Sequence, residues 1–324
     1  MAGMIRDDEI DWGVYAEQTD AGAKVRPASQ WAASVVDQFD VSRQGRLPEM
    51  LSTKLRGALR FRPGEITVWA GHNGMRKSIF MGQLALDFCA QRSRTLLASF
   101  EMAPETTLAR MARQALAEER PATEGILRFM SWTDERLWVF DHSGRVSPAR
   151  LLAVLRYFAA EKSGTQIIVD SMMMVVGSEE HMDEQKQFVT DLVRVAQETG
   201  LHIHLIAHCR KPSGAGAGND DAPPSKYDIR GSSAISDQSH NVVILHMNKP
   251  KLRAMQKGNA APEVAIQPDF FVIVDKQRNG RFEGRIGLWI DAASLRFVDD
   301  GREPAEPYAL LGGDDAPTWA ESYA

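Results

Sequence analysis

ITVWAGHNGMRKSIF, residues 66–80, runs from an apolar, β-branched stretch through a glycine-containing turn into the start of a helical period. Strand, Gly-rich turn, Lys-Ser and helix, in that order, form the setting in which backbone N–H groups and a helix N-terminus cradle phosphates. Gly71, Asn73, Gly74, Met75, Arg76, Lys77 and Ser78 are therefore the expected nucleotide-contacting residues. Lys77 would reach the outer phosphate oxygens and Ser78 would ligate Mg²⁺. The usual pattern carries a second glycine just before Lys-Ser, and Arg76 stands in its place. Glycine there lets the backbone approach a phosphate without a Cβ, so arginine requires permissive dihedrals. An ordinary turn before a helix fits such a pattern about as well. The rest of the chain has to decide.

Working outward, QIIVD at 166–170 is an apolar strand ending in an acid, and Asp170 is placed to hold Mg²⁺ opposite Ser78. TLLASFEM at 95–102 is a second strand with an acid just past its end. Glu101 at that edge is placed to polarise an attacking water. LIAHCRK at 205–211 ends a third strand with His208, at the edge where a parallel sheet meets its ligand.

Strand signals at 65–70, 95–100, 137–141, 166–170, 201–207, 241–246 and 270–275 alternate with helical stretches at 78–91, 104–119, 148–162 and 184–199. Several strands are near-continuous apolar runs, as expected when both faces are covered. Such alternation predicts an α/β fold with a mainly parallel sheet flanked by helices. Ser147-Pro148 reads as a helix start and Gly200 as a helix stop. Ser29 is expected to cap a short helix over 30–39, with Trp31, Val35 and Phe39 on one side. That stripe suits an intrachain core contact, or docking on a neighbouring subunit. The expected organisation is an N-terminal arm with a linker helix (1–45), an ATPase domain (46–300) and an acidic tail (301–324).

The 324 residues are 44% hydrophobic and 25% charged, an ordinary globular balance. The acidic N-terminus does not resemble a signal peptide, no apolar run is long enough to cross a membrane, and two cysteines without metal spacing fit a reducing cytosol. Residues 299–324 carry seven acids against one base, a balance of −6; with a total of −5, the first 298 residues stand at about +1. A near-neutral body does not suit a monomer that coats duplex DNA.

FRPGEITVWAG, ASFEM, IIVDS, LIAHCRK, DIRGSSAISDQSHNVVIL and VDKQRNG followed by SLRF, spread over residues 60–298, resemble the helicase domain of the DnaB family, nearer to the phage primase-helicases and Twinkle. The last two stretches are the most specific. The resemblance implies a RecA-like P-loop NTPase that uses ATP or another NTP with Mg²⁺. It implies Glu101 as catalytic base, Asp170 as the metal-holding acid and His208 as a γ-phosphate sensor. Lys276 and Arg278 would reach into the neighbouring subunit's site, Arg278 as arginine finger, with Arg281 as the fallback. Asp228 to Ser233, including Arg230, Gly231 and Ser232, would line a channel and touch DNA with Arg210 and Lys211.

The expected activity is then that of a replicative DNA helicase, unwinding duplex while travelling 5′→3′ on single-stranded DNA as a homo-oligomer, a hexamer. Primase and polymerase would be separate polypeptides, and the setting a bacterial cell carrying a phage or mobile element. Arg230→Ala is expected to weaken strand binding and spare nucleotide binding. The acidic tail suits a solvated segment or a dock for a basic partner. Two alternatives remain open: a RecA/RadA- or KaiC-like ATPase, and a nucleotide- or DNA-binding module whose hydrolysis has decayed.

Overall fold

The structure, a computed structural model, describes residues 27–40, 47–142, 144–177, 181–210 and 221–310. The chain divides into two units, 1–47 and 48–324. In the first, a 3₁₀ turn over Ala28–Trp31 leads into α1 (Ala32–Phe39). Ser29 lies inside the 3₁₀ turn and no side chain caps α1, so the expected Ser29 cap is corrected. Trp31, Val35 and Phe39 are exposed.

The second unit is built on β1 (Ile66–Gly71), α2 (Lys77–Ala90), β2 (Thr95–Ser99), α3 (Pro104–Leu116), α4 (Thr123–Thr133), β3 (Leu137–Val139), α5 (Pro148–Lys162), β4 (Gln166–Asp170), α6 (Met173–Val176), α7 (Met182–Thr199) and β5 (His202–His208). There follow α8 (Ala234–Gln238), β6 (Asn241–Met247), α9 (Lys249–Gln256), α10 (Pro262–Ala265), β7 (Phe270–Gln277), β8 (Gly284–Ile290) and β9 (Phe297–Val298). All seven expected strands are present. The four expected helices are too, within a few residues at each end. Ser147 caps α5 by accepting from Arg150 N, and Gly200 ends α7 at φ 74°.

One nine-stranded sheet results, in the order β3-β2-β4-β5-β1-β6-β7-β8-β9. β3 through β6 in that order are parallel, and β7 to β9 continue antiparallel. Side chains alternate across the sheet. Ile66, Val68 and Ala70 face one core with Leu155, Phe158, Phe188 and Leu192; Trp69, Ile206 and Leu245 face the other with Phe80, Phe88 and Phe129. Each layer of helices closes one face, which is why β1, β2, β4 and β6 are buried along their whole length.

Two histidines buried beside the second core are paired. His204 Nδ1 accepts from Trp69 Nε1 (3.1 Å), and its Nε2 bonds Gln166 Oε1 (3.0 Å). His202 Nε2 bonds Thr67 Oγ1 (2.9 Å) and its Nδ1 bonds Arg62 O (2.7 Å). Burial holds both imidazoles neutral, His202 down to about 3.

Beyond β9 the chain crosses α2 and α3. Tyr308 N donates to Ala115 O (2.9 Å), and the Tyr308 hydroxyl donates to Asp87 Oδ1 (2.5 Å) on α2, with Arg296 over the tyrosine ring. Tyr308 is buried, so the acidic tail begins with a packed strap as far as it is described.

Candidate nucleotide site

Parallel pairing puts the C-terminal ends of four strands at one edge. Gly71 is in register with His208, and Ser99 with Asp170. Phe100 N donates to Asp170 O (2.9 Å), which holds the chain entering Glu101 against β4. The turn after β1 crosses the same edge and starts α2. A cavity of about 550 Å³ opens there, lined by residues 73–79, Glu101, Arg110, Asp170, Met173, His208 and Arg230. The expected Asn73, Gly74, Met75, Arg76, Lys77, Ser78, Glu101, Asp170 and His208 are thus brought together from four strand ends.

Gly71 is the last residue of β1, where a Cβ would sit 2.4 Å from Leu245 O of β6. Its role is close strand packing that aims the turn. Arg76 adopts φ 56°, ψ 27°, the left-handed region. An L-residue tolerates this at a cost of roughly 1–2 kcal/mol, so arginine reproduces the geometry that glycine usually supplies. Its side chain joins the cavity wall.

Lys77 is buried and donates to Gly71 O (3.0 Å), His72 O (2.9 Å) and His208 Nδ1 (3.3 Å). Burial lowers its pKa, while Cys209, Asp170 and Glu101 oppose that. His208 is pushed down to about 4 by burial, with Lys77 and Arg230 adding to it. It is therefore neutral in the ordinary pH range and can accept from an ammonium. Asp170 is raised to about 6, chiefly by burial, while the Ser78 hydroxyl bond, Lys77 and Arg110 pull it down. Ser171 Oγ donates to Glu101 Oε1 (3.1 Å), which orients the second carboxylate.

A serine hydroxyl bonded to a buried carboxylate, both oxygens on the wall of an anion-accepting cavity, is a donor set that suits Mg²⁺ held with few protein ligands. Arg76, Lys77, Arg110 and Arg230 outnumber Glu101 and Asp170 on that wall, which favours a polyanion.

Arg110 is a site residue that the sequence motifs do not mark. It lies on α3, and its Nη2 donates to Met102 Sδ (3.2 Å), a weak acceptor. Thr107, Arg110, Met111 and Gln114 line a crevice with Ser78 and Asp170, so a helical spacing counted from the strand end could have found it.

Arg230, expected to contact DNA and to leave nucleotide binding nearly intact when removed, also lines the cavity. The cause is local: Arg230 N donates to His208 O and Arg210 N to Asp228 O, both at 2.8 Å, flanking a Cys209–Ile229 bridge. The loop of Asp228 to Ser233 is therefore stitched to the end of β5. Asp228 is committed to its own turn, accepting from Ser225 N and Oγ (both 2.8 Å). Ser232 N donates to Gln185 Oε1 (3.0 Å), Gly231 lies against that same side chain, and Ser233 precedes α8. Arg210 is exposed; Lys211 lies outside the described residues.

Lys276 and Arg278 are elsewhere. β7 runs antiparallel to β6 with Gln277 opposite Asn241, and Asn241 is beside Thr67 at the start of β1. They are thus at the opposite sheet edge from the cavity, about 17 Å away by the rise of β1. Lys276 Nζ donates to Ser236 O, Asp237 O and Ser239 O (2.7, 3.0 and 2.9 Å), closing the C-terminal end of α8. Arg278 is exposed and donates from Nη2 to Asp237 O (2.6 Å); Arg281 is exposed as well. Among the described residues no helix is long and apolar enough to cross a membrane.

A phosphate-cradling turn on a mainly parallel sheet, faced by two carboxylates from neighbouring strands, defines a RecA-like P-loop ATPase fold. The AAA domain family matches residues 38–214, more than half of the chain, and the chain belongs to that family. It is 28% identical over 206 residues to the DNA helicase/primase of Enterobacteria phage T3, a match covering 58% of this chain and 36% of that protein. The chain thus spans little more than a third of that relative. Among solved structures, one isolated ATPase domain superposes with a TM-score of 0.66 at 15% identity, over 85% of this chain and 99% of that one. A DnaB-like replicative helicase, described with its interactions with primase, superposes with a TM-score of 0.64 at 15% identity, over 85% of this chain and 67% of that one. At those identities the likeness is one of fold, and it agrees with the resemblance read from the sequence.

Proposed function

We propose that the chain is the motor of an ATP-dependent replicative DNA helicase, working as a ring of identical subunits around single-stranded DNA. The observation that carries this reading is the separation of two half-sites. Lys77, Ser78, Glu101, Asp170 and His208 converge at one edge of the sheet, while Arg278 stands exposed at the other. One subunit cannot bring both to the same phosphate, whereas head-to-tail copies can, and a heterologous contact that closes makes a ring.

A bound magnesium nucleotide would supply a hydrolysable phosphoanhydride and a cation that offsets its charge. The N–H groups at the start of α2 and Lys77 would hold the phosphates, Ser78 and Asp170 would hold the cation, and Glu101 would orient the attacking water and take its proton. Arg278 of an adjoining copy neutralises charge that develops during transfer, which makes hydrolysis depend on assembly. His208 carries the state of the pocket into the backbone of Arg230 through its carbonyl. Arg210 and Arg230, repeated around a ring, supply salt-dependent phosphate contacts that a near-neutral monomer lacks.

The test is a forked-DNA unwinding assay beside a mass measurement of the assembly. The wild-type chain is expected to form a closed oligomer and to unwind with ATP, and Lys77→Ala to assemble without unwinding. Strand-independent hydrolysis by a monomer would remove the reading.

A further inference from the structure

The turn that carries Arg278 is fastened by a carboxylate that the nucleotide pocket does not use. Glu65, the residue before β1, is 4% exposed. Its Oε1 accepts from Asn279 Nδ2 (2.6 Å) and its Oε2 from Asn241 Nδ2 (3.3 Å), and the Asn241 amide also donates to Thr67 Oγ1 (3.0 Å). Next to it, Arg278 N donates to His240 O (3.0 Å), while His240 Nδ1 accepts from Ile66 N (3.1 Å). Gln277 closes the turn from the other side, donating from Nε2 to Phe282 O (2.8 Å) and Ala58 O (3.1 Å). The residues on both sides of Arg278 are thus tied to the entrance of β1 and to its neighbours.

Burying a carboxylate is costly unless its oxygens are satisfied, and hydrogen bonds to a charged acceptor are about twice as strong as neutral ones. Asn279 is itself exposed and could be solvated by water. A buried carboxyl group aimed at it therefore serves to fix the turn. We infer that Glu65 is a positioning residue. It holds Asn279, and through Asn279 it sets the direction in which Arg278 leaves the subunit towards a second copy's phosphate pocket. The inference rests on the proposed action of Arg278 across the subunit interface.

Misplacing a catalytic group by about 1 Å can cost about a hundredfold in rate, so Glu65→Ala and Asn279→Ala are each expected to lose about that much basal hydrolysis. Binding of a fluorescent nucleotide, which tests each copy's own pocket, is expected to stay at the wild-type level. Glu65→Gln keeps an acceptor oxygen for Asn279 and should retain most of the activity. The deciding readout is complementation, measured without DNA so that sites need not fire in sequence. Co-expressed with Lys77→Ala, either variant should recover hydrolysis above both parents, because the Lys77→Ala copy carries an intact Arg278 turn and the other an intact phosphate loop. Arg278→Ala with Lys77→Ala is the control pair. Recovery in the control but not with Glu65→Ala and Asn279→Ala overturns the role of Glu65 alone. No recovery in the control removes the interface reading, and this inference with it. Asn279→Ala, altered at an exposed side chain, keeps the test valid if Glu65→Ala folds poorly.

Discussion

Asp87 offers a quantitative check of how the phosphate-loop helix is held. It lies buried on α2, accepting from the Tyr308 hydroxyl and from Leu51 N (3.1 Å). Burial raises its pKa from 3.8 to about 6 against those two hydrogen bonds. A carboxyl whose folded pKa lies above its unfolded one adds stability that is fully present below pH 3.8 and is lost as pH rises through about 6. The gap between the two values, at about 1.36 kcal/mol per pH unit, comes to about 3 kcal/mol. Asp87→Asn cannot ionise and lacks that loss. Its stability relative to wild type should therefore climb by about 3 kcal/mol between pH 4 and pH 7, or about 6–12 °C in Tm for a domain of this size. Paired thermal and urea melts at pH 4, 5, 6 and 7 measure it. His202, His204, His208 and Asp170 titrate in both proteins and drop out of the difference. Tyr308→Phe should behave oppositely, costing about 1.5–3 kcal/mol near neutrality, where it removes a bond to a charge, and less at pH 4. Curves for wild type and Asp87→Asn that run parallel across the whole range would refute the assignment.

Gly71→Ala should lose about 1–3 kcal/mol and disturb nucleotide binding, because the new Cβ meets Leu245 O and must push β1 from β6; an unchanged melt and affinity would show that the strands yield freely. Arg76→Gly should change stability by no more than about 1 kcal/mol, since relief of the left-handed strain offsets the added freedom of the unfolded chain. It should also weaken triphosphate binding by removing a cation from the pocket, which titration with a non-hydrolysable analogue measures. Arg230→Ala should weaken both nucleotide and strand binding, whereas Arg210→Ala should weaken strand binding alone and lower the salt slope by about one; the two variants behaving alike would contradict their separate placements.

The site was legible where function is written in local order. Lys77-Ser78 after β1, and acids or a histidine at the ends of β2, β4 and β5, are short-range patterns, and a parallel sheet gathers strand ends at one edge. What escaped depends on long-range side-chain meetings. Glu65 and Asn279 are 214 residues apart, and nothing in spacing pairs them. Lys276 looks outward from the sequence, yet three carbonyls of its own chain occupy its ammonium. β8 gives no clear signal because it is a mixed, half-exposed strand whose Arg285 lies over the Phe271 ring, so it shows neither a buried run nor a clean alternation. α4 is equally hard to read, its apolar face being spaced among polar residues within three turns.

The five residues of α8 join two things usually thought of separately. The helix begins directly after Ser233, and its last carbonyls are gripped by Lys276 and Arg278. At about 1.5 Å per residue it is about 7.5 Å long, too short to bend and absorb a displacement. An arginine that swings outward must let go of Asp237 O, and the far end of the same rod begins at the loop beside Gly231 and Ser232. On the proposed action of Arg278, reaching out of the subunit would give up one of the bonds that hold this rod, whose other end adjoins that loop, while Lys276 keeps its own bonds to Ser236 O and Asp237 O.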